Sequence, residues 1–187
     1  MMNIQTIEQI LSANKKLLTG MKKYKKIMDT LHWTDVSADR EFQRTFNSFF
    51  VMLSRKSEYY DSFYSLLEQK KGTGVSFEET LERLKEAEGQ LEISFSSKLI
   101  HIINPKRPIW DKNVALQHFG MKPPGYNMDS VARQKEASRV YHEYCSRFYE
   151  YLDSSGGQTM LRIFNDKYPH TGFTDAKKID FIMWVDV

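Results

Sequence analysis

Between Phe95 and Val114 the chain reads FSSKLIHIINPKRPIWDKNV, and two residues in it have the types that nucleophilic and electrostatic catalysis need. Lys98 offers an amine, and Asp111, thirteen residues later, offers a carboxylate. An amine attacks carbon only when unprotonated, so a buried, apolar setting must lower its proton affinity. A nearby carboxylate can stabilise the positive charge that builds as a bond to that carbon breaks. The plain structural alternative makes Lys98 a solvated helix residue and Asp111 an N-cap, with Pro105 and Pro108 as helix stops.

Whether the two side chains can meet depends on the elements that carry them. Lys98–Ile103 reads as a short helix halted by Asn104-Pro105, since proline cannot extend a helix and restricts the residue before it. Six residues rise roughly 9 Å, and the seven from Asn104 to Trp110 can span more than twice that when extended. On this reading Lys98 lies near the start of its helix, Asp111 opens the next one, which runs to Gly120, and the side chains can face one cleft.

The rest of the chain is helical in its periodicity. Ile4, Ile7, Ile10 and Leu11 begin an amphipathic run, which Gly20 is expected to interrupt before Met21–Leu31 resumes it. A helix starting near Asp35 or Ser37 carries Phe42, Phe46, Phe49, Phe50 and Leu53. The next, from about Ser57 to Lys71, carries Tyr60, Phe63, Tyr64 and Leu67. These aromatics have the spacing of a core face. Gly72-Thr73-Gly74 breaks the chain, and Ser76-Phe77-Glu78-Glu79 forms a capping box for a helix ending near Gly89. LEISF, just before Lys98, alternates like a short strand. KPPGYN is a loop, a long helix runs from Met128 to about Asp153 and ends at Ser154-Ser155-Gly156-Gly157, and two more lie near Met160–Phe164 and Thr174–Val185. The expected fold class is all-α, a single domain over 1–187 with about eight to ten helices.

The segment SFSSKLIHIINPKRPIWDKNV resembles the active-site segment of the helix-hairpin-helix DNA glycosylase superfamily. In that segment a hairpin leads into a helix, a proline-containing loop follows, and an aspartate begins the next helix. It is also similar to short bacterial proteins that carry serine-lysine, two apolar residues and histidine, followed by Asn-Pro and an aspartate. The resemblance implies a DNA-binding protein that cleaves N-glycosidic bonds, with Lys98 attacking the sugar C1′ carbon and Asp111 as the stabilising carboxylate. Substrate contacts would come from Phe95, Ser96, Ser97, His101 and Trp110, with Phe95, His101 and Trp110 as walls for a base swung out of the stack. Where the superfamily hairpin has glycine, an apolar residue and glycine, this chain has Ser94, Phe95 and Ser96.

Composition sets the remaining bounds. The chain has 187 residues, 41% apolar and 13% aromatic, enough to bury a substantial core. Its formal charge of +3 and pI near 8.8 are mildly basic. Lys15, Lys16, Lys22, Lys23, Lys25 and Lys26 crowd around Gly20, where they form a solvated face or contact phosphates. No apolar run suits a bilayer and no secretory signal opens the chain, which leads to the expectation of a cytoplasmic protein without a membrane partner. Cys145 reads as a small buried thiol. His101, His118 and Asp111 lack the spacing of a metal motif, and Ser96 and Ser97 lack a visible histidine-acid partner, so neither a metal nor a cofactor is expected. The alternative from another class is a non-catalytic helical protein-interaction module, in bacterial stress or phage defence, whose aromatic-rich faces hold a protein partner.

Overall fold

A computed structural model describes residues 2–187, and among them every regular element is a helix. In chain order these are α1 Ile4–Ala13, α2 Lys15–Thr30, α3 Arg40–Phe50, α4 Ser57–Lys70, α5 Phe77–Glu88, α6 Ile93–Ile103, α7 Lys112–Phe119, α8 Ser130–Asp153, α9 Ser155–Lys167 and α10 Asp175–Asp186. None is long and apolar enough to cross a membrane. The chain divides into two compact units, one of residues 1–18 and 105–187, the other of residues 19–104.

In the unit of residues 19–104, α4, α5 and α6 pack pairwise. The apolar stripe of α3 lies on α4 through rings: Phe46 stands 5.3 Å from Phe63 and 5.7 Å from Tyr64, centroid to centroid. Ser76 Oγ accepts from the Glu79 amide at the start of α5, and Gly89 closes that helix at φ 80°, a left-handed position where glycine carries no Cβ penalty. Glu79 itself pairs with Lys70, 2.8 Å away.

In the other unit, α1, α7, α8 and α9 all pack on α10, which explains its two buried faces. Four hydroxyls from α8 and the α10 cap hold the irregular 105–109 segment. Thr174 donates to the Pro105 carbonyl (2.6 Å), Tyr149 to Lys106 (3.2 Å), Tyr141 to Pro108 (3.0 Å) and Tyr144 to Ile109 (2.9 Å). Carbonyls that no helix ladder can satisfy thus find side-chain donors.

Several expectations from sequence are corrected. The break in the first run is at Asn14, whose Oδ1 accepts from the Lys16 and Leu17 amides, and Gly20 lies inside α2. The third helix starts at Arg40, because Asp39 caps it while Asp35 accepts from Ser37 in a turn. Gly156 and Gly157 belong to α9, where Ser154 caps the helix. Most important, LEISF is no strand: α6 already begins at Ile93, so Lys98 is the sixth of eleven residues. The alternation arose because α6 is buried nearly all round, which erases the one-sided stripe that marks a surface helix.

Candidate functional site

Lys98 and Asp111 belong to different units, each with its own surroundings. Along α6, Phe95, Ser96, Ser97, Leu99, Ile100, His101 and Ile102 are buried, while Ser94 and Lys98, one turn apart, are half-buried. Lys98 is therefore the ionisable group that α6 carries toward solvent. Its Nζ lies 4.5 Å from the centre of the Phe95 ring and 5.8 Å from that of Phe50, and donates to the Phe50 carbonyl at 3.3 Å. Both rings and the carbonyl favour the ammonium.

The other α6 residues singled out from sequence face the interior. Ser97 Oγ donates to the Ser94 carbonyl at 2.7 Å, and Ser96 Oγ is buried with no hydrogen-bond partner among the described residues. His101 is buried, its Nε2 3.0 Å from the Tyr24 hydroxyl. Phe95 packs edge-on to Tyr59, 6.3 Å away. The positions of the superfamily's glycine hairpin fall within the first turn of α6, where the Ser96 amide donates to the Glu92 carbonyl at 2.8 Å.

In the other unit Asp111 is the N-cap of α7: its Oδ1 accepts from the Asn113 and Val114 amides at 2.9 and 3.2 Å. Trp110 is buried edge-on against Tyr144 with 5.1 Å between centroids. His118 Nε2 lies 3.6 Å from Asp186, and burial depresses the imidazole's proton affinity. Cys145 is a buried free thiol, its pKa pushed up by burial. Among the described residues no group of three His, Cys, Asp or Glu could hold a metal ion.

Two charged groups are more deeply set than the sequence signals. Lys177 and Asp180, 2% and 5% exposed, form an ion pair of 2.6 Å inside α10's packing, with the ammonium 4.3 Å from the Phe181 ring centre. Burial lowers the Lys177 pKa and Asp180 opposes that shift. A spacing of three permits such a pair on one helix face but carries no sign of its depth. The second group is Arg55, which bridges Glu88 (2.9 Å) and Glu92 (3.0 Å) and lies over Phe95 at 5.3 Å. No sequence signal joins Arg55 to Glu88, 33 residues on, or to Glu92.

The α2 lysines are largely engaged. Lys25 pairs with Asp29 at 2.6 Å, Lys26 pairs with Glu41, Lys23 donates to Ser48, and Lys16 lies over Trp184 at 4.3 Å. Surface clefts lie elsewhere. One of about 470 Å³ between α4 and α5 is lined by Asp61, Ser65, Gln69, Arg83 and Glu86. Another of about 300 Å³ joins the 122–125 loop to Arg139, Glu143 and Arg147 of α8.

No family model, curated protein or solved structure matches the chain.

Proposed function

We propose that the chain is a DNA-binding protein related to the base-excision glycosylases and lyases, with the Lys98 amine as nucleophile. The observation that supports this reading is the placement of Lys98, a half-buried amine between the Phe50 and Phe95 rings, within the segment that carries the resemblance. Aromatic rings beside an amine suit a sugar or an unstacked base. The helix pair α5 and α6, joined through residues 89–92, supports a hairpin that lies earlier in sequence than Ser94–Ser96. Phosphate contact then falls to side chains, among them the exposed Lys22 and Lys56 of the same unit. Asp111 is assigned the stabilising carboxylate by the resemblance.

On an abasic site, the neutral Lys98 amine would add to the C1′ aldehyde and lose water to form an imine. Loss of a C2′ proton would then break the C3′–O bond. The test is incision of a duplex bearing one abasic site. Cleavage by the parent protein that is lost in Lys98→Met supports the reading, and equal cleavage by both overturns it. Affinity for the duplex should also fall steeply with salt.

The second reading, a helical protein-interaction module, rests on Trp33, which is 89% exposed in the connection before α3. An indole so exposed suits an interface anchor. Trp33→Ser would abolish capture of such a partner and leave Lys98 chemistry unchanged.

A further inference from the structure

The Phe95 ring is shared by two cations, with Lys98 Nζ 4.5 Å and the Arg55 guanidinium carbon 5.3 Å from its centre. Arg55 is fixed by Glu88 and Glu92 and also lies 5.4 Å from the Tyr59 ring. The group therefore sets two cations, Lys98 and Arg55, against two carboxylates, Glu88 and Glu92. Its polar margins are spent inside the unit. Glu92 is 7% exposed, and Glu88 Oε2 and the Tyr59 hydroxyl are buried without hydrogen-bond partners among the described residues.

With all four groups ionised the cluster is neutral. If Lys98 loses a proton, one negative charge is left in a poorly hydrated place, which is costly. If Glu92 gains a proton as Lys98 loses one, the cluster stays neutral and total proton count is unchanged. We propose that Glu92 is the positioning residue for the Lys98 amine, the carboxyl whose charge is traded against that of Lys98 across the Phe95–Arg55 stack. The proposal rests on Lys98 being the working amine.

The groups facing Glu92 are consistent with this exchange. Burial raises its pKa, Arg55 before α4 and Lys98 on α6 pull it back, Glu88 on α5 pushes it further, and Gln90 donates to it. Tyr59 on α4 is held neutral, its pKa raised by burial and by Glu92. Arg55 stays charged throughout, so Glu92 and Glu88 are the carboxyls that can answer a change at Lys98. Glu92 is the more buried of the two.

The test needs no DNA. Lysines are dimethylated with a ¹³C label, the Lys98 signal is assigned by its loss in Lys98→Met, and its pH midpoint is compared in the parent and in Glu92→Gln. The midpoint is expected to fall by roughly half a pH unit in the variant, about a threefold gain in free amine at a given pH. By reciprocity, the Glu92 carboxyl midpoint, read by ¹³C NMR, should rise by a similar amount in Lys98→Met. An unchanged Lys98 midpoint in folded Glu92→Gln overturns the proposal. If that variant does not fold, an unchanged Glu92 midpoint in Lys98→Met does so. Coupled midpoints without incision of DNA would leave this proposal standing and refute the lyase reading alone.

Discussion

Lys98 holds its ammonium 4.5 Å from the centre of the Phe95 ring, one turn earlier on α6. A partly desolvated contact of this kind contributes about 0.5–2 kcal/mol. Phe95→Leu and Lys98→Met, made singly and together and unfolded in urea, should therefore show a coupling energy of that size. Additive effects would mean that the ring and the amine do not interact, and the aromatic setting of Lys98 would lose its meaning.

Lys177 and Asp180 predict a larger effect. Removing one partner of a buried pair leaves an uncompensated charge, so Asp180→Ala should cost about 3–5 kcal/mol, read as a lower urea midpoint. The joint replacement Lys177→Met with Asp180→Leu should recover most of that loss, since it buries no charge. A joint variant no more stable than Asp180→Ala would show that the pair is needed for more than mutual neutralisation.

Glu92 gives a prediction in pH. Burial raises its folded-state pKa above the ordinary value of 4.5, so its favourable contribution is complete below that value and is lost as pH rises through the folded pKa. Relative to the parent, Glu92→Gln should therefore gain stability as pH is raised from about 4.5 toward neutrality. Urea midpoints of the two proteins measured across that window test the sign, and a Glu92→Gln variant that loses stability relative to the parent as pH rises would contradict it.

The helices α5 and α7 are legible because their ends are written in single residues: Ser76 and Gly89 around α5, Asp111 and Gly120 around α7. The first half of α6 is not legible, because a helix buried on most sides has no polar face to set its phase. A shared cleft for Lys98 and Asp111 would require Lys98 to open a six-residue helix, whereas Lys98 lies in the middle of eleven. The Arg55 bridge and the depth of Lys177 were invisible for a different reason, since burial belongs to the packing of helices and not to any one of them.

Asp111 separates structure from chemistry. As an N-cap it should tolerate Asp111→Asn within about 0.5 kcal/mol, whereas Asp111→Ala should cost about 1 kcal/mol in thermal unfolding. If its carboxylate also stabilises charge on the sugar, Asp111→Asn should lose incision while keeping stability. Full incision by Asp111→Asn would confine this residue to capping.

Borohydride trapping on a duplex with a single abasic site decides whether Lys98 is an amine nucleophile toward DNA. Hydride reduces the imine to a stable amine, joining protein and DNA. A covalent adduct is expected that maps to Lys98 by peptide analysis, increases with pH as the amine is freed, and is absent in Lys98→Met. No adduct with the parent protein across a panel of damaged duplexes, or an equal adduct with Lys98→Met, would contradict it.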